Sequence, residues 1–275
     1  MTSALLSVRD LRASYPGPAG PVQVVHGVDL DLARGEKLAL VGESGSGKSV
    51  TARAILRLDT DATLSGRVEL DGADLLTLPP RRMRAVRGAR IGLVFQDPLA
   101  ALNPVMTIGW QITQPLVIRG VPKKAARRRG VELLARLGVR DAERRFDDYP
   151  HQFSGGMRQR VVIAIAVIAD PDLLIADEPT TSLDVRVQAR VLELLHELTD
   201  ERDMAVLLIT HDLGIVAGFA DRAVVMRHGR AVETGPVDDI YRSPRHEYTR
   251  ALLAAVPRIG GDHTRPLVTI KEGGQ

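Results

Sequence analysis

The sequence has no cysteine among its 275 residues. This absence excludes disulfide bonds, thiolate zinc sites, iron–sulfur clusters and cysteine nucleophiles. The sequence also lacks any apolar run of about 18 residues, the length that indicates a membrane-spanning helix. Its first residues do not have the basic and apolar segments of a secretory signal peptide. We therefore expect neither a membrane span nor a leader, and we predict a cytoplasmic protein.

The sequence also has few aromatic residues and a small net charge. Only 3% of the residues are aromatic, and the net charge is +3. Nucleic-acid-binding proteins usually combine basic surfaces for phosphates with rings for base stacking. We therefore expect no nucleic acid among the partners. The 44% hydrophobic and 26% charged residues are typical of a globular protein with a sizeable core, in one large domain or two small ones.

A glycine-rich segment is the most specific motif of the chain. An apolar run at 38–41 leads into Gly42, and Gly47, Lys48 and Ser49 complete the pattern G-x-x-x-x-G-K-[ST]. A chance match in a chain of this length is expected about one time in a hundred, so a glycine-rich loop without function is the weaker interpretation. Glycines let backbone N–H groups turn inward around phosphate oxygens, Lys48 would reach the β- and γ-phosphates, and Ser49 would ligate Mg²⁺. The candidate nucleotide-binding residues here are Gly42, Glu43, Ser44, Gly45, Ser46, Gly47, Lys48, Ser49 and Val50.

Alternation of polar and apolar residues predicts strands on both sides of this loop. Residues 6–13 alternate, residues 23–32 do so less regularly, and residues 66–72 end in an Asp-Gly turn. A helical pattern covers residues 50–58. We therefore predict an antiparallel sheet in the N-terminal third, around a phosphate-binding strand, loop and helix.

Short apolar runs farther along the chain predict buried strands. They cover residues 91–95, 172–177 and 204–210, and helical patterns occur at 161–169 and 185–201. Strands that alternate with helices in this way are typical of βαβ units in a parallel sheet.

Polar residues follow each of these strands directly. They are Gln96, the pair Asp177 and Glu178, and His211. Because ligands of parallel sheets bind at the carboxyl ends of strands, one site could collect these residues and the phosphate loop. A carboxylate at such a position is often a helix cap and a histidine is often structural, but several such coincidences in order favour a site.

These residue types suit phosphoryl transfer from a nucleoside triphosphate to water, which depends on positioning and charge neutralisation. Asp177 would hold Mg²⁺, through water. Glu178 would accept a proton from the attacking water or orient it. Gln96 would ligate Mg²⁺ or that water, and His211 would contact the γ-phosphate as its charge shifts.

With these residues identified, the chain resembles the ATP-binding subunits of ABC transporters over nearly its whole length. Residues 153–160 are similar to the family signature, with phenylalanine and methionine where leucine and glutamine are commoner. The resemblance implies that Ser154, Gly155 and Gly156 bind the nucleotide of a partner subunit, through backbone N–H groups at a helix start.

The resemblance also implies roles for other residues. Gln96 corresponds to the Q-loop, Asp184 belongs to the D-loop with Ser182 and Leu183, and His211 is the switch histidine. Tyr15 would stack on adenine, although its loop is rich in proline and glycine and an ordinary loop tyrosine is about as probable an interpretation.

Further segments resemble the dipeptide, oligopeptide and nickel importers. These segments cover residues 95–104, 149–154 and 243–253. In that group two different ATPases pair, and residues 48–51 and 156–160 are more similar to the first of the two. Many relatives have a longer C-terminal region with four cysteines that can hold an iron–sulfur cluster. Because this chain has no cysteine, we expect no such cluster here.

The resulting prediction is an α/β fold: a P-loop NTPase core with a mostly parallel sheet, an N-terminal antiparallel β subdomain and an inserted α-helical subdomain. The ATP-binding domain would cover residues 4–255, with the helical subdomain at about 97–160. Residues 256–275 would form a C-terminal tail.

The resemblance implies an ATPase, with ATP and Mg²⁺, that powers uptake of peptides, nickel or metal chelates. It would lie at the cytoplasmic face of the cell membrane as a peripheral subunit. Its partners would be a second homologous ATPase in a heterodimer, two permease subunits and, indirectly, an extracytoplasmic solute-binding protein. Exposed apolar residues near Leu99, Leu102 and Val105 would contact the permease, with ordinary subdomain core as a nearly equal alternative.

Two other functions are considered. A soluble ABC ATPase that acts on nucleic acid or the ribosome would usually carry two cassettes or a nucleic-acid-binding insertion, and this sequence has one phosphate loop and one signature. A nucleotide sensor that binds without hydrolysis would not need Glu178.

Overall fold

The computed structural model describes residues 4–180 and 185–255. The chain divides into two compact units. The first unit contains Ala33–Glu36 and Thr77–Leu207, and the second contains Ala4–Leu32, Lys37–Leu76 and the chain from Leu208 onward.

The described residues contain ten strands. In chain order they are β1 (Leu6–Tyr15), β2 (Val22–Leu32), β3 (Lys37–Val41), β4 (Thr63–Leu70), β5 (Ala73–Asp74), β6 (Ile91–Val94), β7 (Leu173–Asp177), β8 (Ala205–Thr210), β9 (Arg222–Arg227) and β10 (Arg230–Pro236).

The same residues contain eleven α-helices and a 3₁₀-helix at Pro150–Gln152. The α-helices are α1 (Lys48–Ile55), α2 (Pro80–Val86), α3 (Pro98–Ala101), α4 (Ile108–Val117), α5 (Lys123–Arg136), α6 (Ala142–Arg145), α7 (Gly155–Val167), α8 (Val185–Asp200), α9 (Leu213–Phe219), α10 (Val237–Arg242) and α11 (Glu247–Ala254). None of the described helices is long and apolar enough to cross a lipid bilayer.

An antiparallel sheet in the second unit has the strand order β2-β1-β4-β5. Apolar side chains at Leu6, Val8, Leu11 and Ala13 of β1 are buried. Their spacing changes after Val8 because Asp10 has a φ of 46° and the ladders to both neighbouring strands shift register there. The predicted N-terminal antiparallel sheet is confirmed.

A second sheet has the strand order β10-β9-β3-β8-β7-β6. β3 pairs with β9 in parallel, β6 pairs with β7 in parallel, and β10 is antiparallel to β9. β8 begins in the first unit and ends in the second. Every residue of β3, β7 and β8 is buried, which explains why these strands are continuous apolar runs in the sequence. The predicted α/β fold with a mostly parallel sheet is confirmed.

The hairpin of β9 and β10 is absent from the sequence prediction. Its two turn residues, His228 and Gly229, have φ values of 45° and 72°. Two successive positive φ values match the turn that closes a two-residue hairpin. Asn-Gly and Asp-Gly are the usual sequence signals of such a turn. This turn has histidine at the first position, so the sequence does not indicate the hairpin.

Two helix starts differ from the predicted ones for a local reason. α1 begins at Lys48 because Gly47, with a φ of 98°, starts the helix directly after the loop, and the left-handed Arg57, with a φ of 51°, follows its end. α7 begins at Gly155, well before residue 161. The first turn of each helix contains a single apolar residue, Val50 in α1 and Met157 in α7, which is too few to show an apolar periodicity.

Helices α3 to α7 and the 3₁₀-helix occupy the described chain between β6 and β7. Near α3, the side chains of Leu99 and Val105 are 59% and 73% exposed, whereas Leu102 is 4% exposed. The expectation of an exposed residue at Leu102 is therefore wrong. Leu102 packs into the interior because α3 ends at Ala101 and the next residue turns inward with extended backbone.

Candidate active site

The phosphate loop connects β3 to α1 in the second unit. Gly42 has a φ of 154°, and a Cβ atom added to it would lie 2.3 Å from the carbonyl oxygen of Met226. Gly47 has a φ of 98° and forms the N-cap of α1. Glycine is therefore required at both motif positions, by a close backbone approach at Gly42 and by the left-handed conformation at Gly47.

The ammonium group of Lys48 is buried within this loop. Its Nζ atom donates to the carbonyl oxygens of Gly42 and Glu43, each at 2.8 Å, and to Ser46 Oγ at 3.4 Å. The residue is only 4% exposed. A buried ammonium group needs such acceptors because burial without them is costly. The result is a positive charge at the start of a helix, which is a favourable position for a phosphate group.

The loop is also fixed by residues far away in the sequence. The Gly229 N–H donates to the Ser46 carbonyl at 2.9 Å, and the Glu43 N–H donates to the Tyr248 hydroxyl at 3.1 Å. The sequence prediction names neither partner as a site residue. The similarity of residues 243–253 to peptide importers was the only available signal for Tyr248.

Gln96 and Glu178 meet in the first unit. Gln96 Nε2 donates to Glu178 Oε2 at 3.0 Å. Asp177 ends β7 and is 8% exposed, and Glu178 follows with a φ of 46°. This left-handed backbone is unusual for glutamate. It turns the chain sharply after the strand, so Glu178 does not continue the extended backbone of β7.

His211 lies in the second unit, as the phosphate loop does. It follows β8 and is exposed. The next residue, Asp212, caps α9 by accepting a hydrogen bond from the Gly214 N–H at 2.8 Å, and its own N–H donates to Thr210 Oγ1 at 3.0 Å. Asp212 is therefore a structural cap, and this cap fixes the backbone beside His211.

Tyr15 ends β1, and its hydroxyl group donates to Asp59. Arg53 of α1 makes an ion pair with the same carboxylate, with Nε 3.0 Å from Asp59 Oδ2. Burial, together with the hydrogen bond to Asp59, raises the pKa of Tyr15 to about 12. The hydrogen bond to Asp59 therefore holds the Tyr15 hydroxyl near Arg53 of α1. Because the hydroxyl is at the tip of the side chain, this bond also restricts the orientation of the ring.

The signature segment begins α7 in the first unit. Ser154 is its N-cap, and its Oγ accepts a hydrogen bond from the Met157 N–H at 3.4 Å. A Cβ atom added to Gly155 would meet no atom of the described chain within 4 Å. The fold of this chain therefore does not need glycine at Gly155, in contrast to Gly42. Asp184, with Ser182 and Leu183, lies outside the described residues, as does the predicted tail 256–275.

Comparisons with known proteins bear on the family. A family model described as "ABC transporter" matches residues 25–181, and one described as "Oligopeptide/dipeptide transporter, C-terminal region" matches residues 232–274. The chain is 52% identical over 267 residues to a Brucella abortus (strain 2308) protein provisionally named as a peptide import ATP-binding protein, covering 96% of this chain and 80% of that protein. It is 49% identical over 270 residues to the oligopeptide transport ATP-binding protein of Bacillus subtilis (strain 168), covering 97% of this chain and 75% of that protein.

A solved structure agrees with this match. The dimeric structure of a post-hydrolysis state of an ATP-binding cassette, bound to ADP and Pi, has a TM-score of 0.77 and 28% sequence identity. The match covers 84% of this chain and 98% of the other. The family model covers more than half of the chain, and the fold, the phosphate loop and the relatives agree with it. The chain belongs to the ABC transporter family, as one of its ATP-binding, ATP-hydrolysing cassettes.

Proposed function

We propose that this chain is the ATP-hydrolysing subunit of an importer for peptides, with nickel or metal chelates as the other cargo of the resembled group. The match of residues 232–274 to the oligopeptide and dipeptide transporter region supports peptides. The names of the relatives in Brucella abortus and Bacillus subtilis support the same cargo. The observation that supports hydrolysis is the hydrogen bond that Gln96 donates to Glu178 at 3.0 Å.

The phosphate loop suits a triphosphate. Gly42 approaches the Met226 backbone closely, and Lys48 is buried with its ammonium among loop oxygens. In this proposal Lys48 neutralises the β- and γ-phosphates, and the loop residues from Gly42 to Val50 surround them. Tyr15 stacks on adenine with its hydroxyl fixed by Asp59.

Oxygen donors that suit Mg²⁺ are available among the candidate residues. We assign this role to Ser49, Gln96 and Asp177, whose hydroxyl, amide and carboxylate oxygens are the hard ligands that Mg²⁺ prefers. Mg²⁺ keeps several water ligands and binds substrate phosphates, so a small number of protein ligands suffices. Bound Mg²⁺ would neutralise charge that develops on the phosphates.

Glu178 is the proposed general base. Its carboxylate accepts a hydrogen bond from Gln96 and therefore has a fixed orientation. A carboxylate held in this way can accept the proton of an attacking water, or orient that water. In this proposal Gln96 positions Glu178, and movement of α3, which begins two residues after Gln96, changes the base directly. His211 contacts the γ-phosphate.

Family membership implies permease subunits in the membrane and pairing of two cassettes. We propose further that the pair is a heterodimer with a second homologous ATPase, that it lies on the cytoplasmic face, and that a solute-binding protein delivers the cargo. Each ATP would lie between the phosphate loop of one cassette and the signature of the other. The open position beside Gly155 supports this arrangement, since a Cβ atom added there would meet nothing within 4 Å apart from its chain neighbours and its own helix backbone.

The test of hydrolysis compares Glu178→Gln with wild type. The amide retains the shape of the side chain and can still accept the hydrogen bond from Gln96, but it loses the basic oxygen. We expect ATP affinity to be unchanged within about twofold and turnover to fall by about 100-fold or more. Glu193→Gln is the matched control, because Glu193 is an exposed glutamate on α8 paired with Arg190.

Two outcomes separate binding from catalysis. Lys48→Ala should weaken ATP binding itself, because the phosphate charge then has no ammonium partner. Turnover of the Glu178→Gln variant near the wild-type rate would remove Glu178 from the role of base.

A further inference from the structure

The C-terminal helix α11 of the described chain touches the phosphate loop through one side chain. Tyr248 is 2% exposed, and its hydroxyl oxygen accepts the Glu43 N–H at 3.1 Å. The carbonyl oxygens of Gly42 and Glu43 both accept hydrogen bonds from Lys48 Nζ, each at 2.8 Å. The peptide group between Gly42 and Glu43 thus links Tyr248, through its N–H, to the Lys48 ammonium, through its carbonyl oxygen. All of these residues belong to the second unit.

Tyr248 itself is held in place from several directions. The guanidinium carbon of Arg227 lies 4.9 Å from the centre of its ring, a cation–π distance. Its own N–H donates to His246 Nδ1 at 3.1 Å. The carboxylate of Glu233 on β10 accepts the N–H groups of Arg245 and His246 at 2.8 and 3.0 Å. The start of α11 is therefore tied to β10 by charged hydrogen bonds, which are stronger than neutral ones.

Apolar packing connects α11 to the strand that enters the loop. Tyr248 and Leu252 belong to one buried cluster with Ala39 and Val41 of β3. Val41 directly precedes Gly42. A shift of α11 would therefore move both the last residues of β3 and the acceptor of the Glu43 N–H, because close-packed interiors transmit displacement.

We propose that Tyr248 is a positioning residue for the phosphate loop, and that α11 through it sets the nucleotide affinity of the cassette. The proposal rests on the proposed function, since it assigns a regulator to the same ATP site. The Glu43 N–H and the Gly42 carbonyl belong to one planar peptide group, so the hydroxyl fixes that plane and aims the Gly42 carbonyl at Lys48. Without this acceptor the Gly42–Glu43 peptide group can rotate, and the ammonium loses the Gly42 carbonyl as a well-placed acceptor.

The test replaces Tyr248 by phenylalanine, which removes the hydroxyl and keeps the ring against Arg227. Dissociation constants for ADP and for ATP are measured on the full chain, and so is the amide hydrogen exchange of the phosphate loop without nucleotide. Tyr241→Phe is the matched control. Tyr241 packs against the same apolar cluster, but its hydroxyl donates to the Leu213 carbonyl and does not contact the loop.

We expect Tyr248→Phe to weaken ADP and ATP binding by about 3- to 10-fold, the range that corresponds to one hydrogen bond. Hydrogen exchange at Glu43 should accelerate. Tyr241→Phe should change neither quantity, even if both variants lower the thermal midpoint. Equal nucleotide affinities and equal exchange at Glu43 in the two variants would overturn the proposal. If wild type binds neither ADP nor ATP, the proposed function fails, and the exchange comparison still decides whether Tyr248 positions the loop.

Discussion

At the scale of single residues, hydroxyl and carboxylate partners determine where the candidate side chains point. Tyr15 is the clearest example, since Asp59 accepts its hydroxyl hydrogen bond and Arg53 balances the charge of Asp59. Arg53 belongs to α1, whose first residue is Lys48. The aromatic residue proposed for adenine is thereby attached to the helix that carries the phosphate loop.

The raised pKa of Tyr15 predicts a pH dependence of stability. The folded-state pKa is about 12, and an unfolded tyrosine titrates near about 10. The folded state therefore retains the proton more strongly, so this contribution is complete below about pH 10 and is lost as pH rises toward about 12. Tyr15→Phe has no proton to lose at this position.

Urea unfolding at several pH values checks this. The free energy of unfolding of wild type should fall more steeply than that of Tyr15→Phe between about pH 10 and about pH 12. Since the other tyrosines are present in both proteins, their titration cancels in the comparison. Parallel curves would show that the Asp59 contact does not hold Tyr15 in solution.

Single motif residues could be predicted from the sequence because each motif is local. Lys48 follows Gly47 directly, and Glu178 follows an apolar strand. The partners that fix these residues could not be predicted in the same way. Glu43 and Tyr248 are 205 positions apart, and Gln96 and Glu178 are 82 positions apart, so only the fold brings them together.

At the scale of elements, glycine in α4 permits a close contact. The Gly109 N–H donates to the Phe146 carbonyl at 2.7 Å. A Cβ atom added to Gly109 would lie 2.0 Å from Phe146 Cδ1 and 2.7 Å from the Phe146 carbonyl oxygen. No real Cβ atom tolerates such distances, so alanine at this position must displace Phe146, which is itself buried.

Gly109→Ala should therefore lower the free energy of unfolding by about 1–3 kcal/mol, the usual cost of overpacking. Gly218→Ala in α9 is the matched control, because a Cβ atom there would meet nothing within 4 Å of the described chain. That control should be neutral or should stabilise by up to about 1 kcal/mol. Denaturant titration measures both variants, and equal stability of the two would contradict the packing described for α4.

The element after Gln96 carries the proposed permease contact. Leu99 and Val105 are 59% and 73% exposed, and Leu102 between them is 4% exposed. Exposed apolar side chains of this size indicate an interaction surface when they cluster. The pattern supports contact by Leu99 and Val105, and it assigns Leu102 to the core.

Cysteine cross-linking tests this surface without background, because the chain has no cysteine of its own. In the complex with the permease, Leu99→Cys and Val105→Cys should cross-link to the permease. Leu102→Cys should not, since its side chain is buried, and Glu193→Cys is the exposed control on α8. Cross-linking from Glu193→Cys alone would place the permease elsewhere.

Elements whose residues alternate or form apolar runs were predictable, and elements defined by turns were not. β1 has alternating apolar residues on each side of Asp10. β7 and β8 are fully buried and are nearly continuous apolar runs in the sequence. The β9–β10 hairpin depends on positive φ at His228 and Gly229, and histidine does not signal such a turn. α1 and α7 begin directly after the N-cap residues Gly47 and Ser154. A cap is not part of the apolar pattern of a helix, so that pattern does not reveal the true helix start.

At the scale of the whole molecule, the cassette has two surfaces that we propose bind anions. One is the phosphate loop with Lys48, in the second unit. The other is the start of α7, where Ser154 caps a helix of 13 residues and the space beside Gly155 is open. We propose that ATP joins two subunits, with Lys48 of one and the signature of the other on opposite sides of the nucleotide. In this proposal, hydrolysis releases the pair and drives the permease between its two states.

The most direct test is Ser154→Arg in the assembled pair of ATPases, with each subunit photolabelled separately by an ATP analogue. Ser65→Arg, at an exposed position of β4, is the control for adding the same side chain. We predict that labelling of the partner's phosphate loop falls while labelling of this chain at Gly42–Ser49 stays close to that of wild type. Loss of label from this chain's own loop, with the partner's label intact, would contradict the composite site.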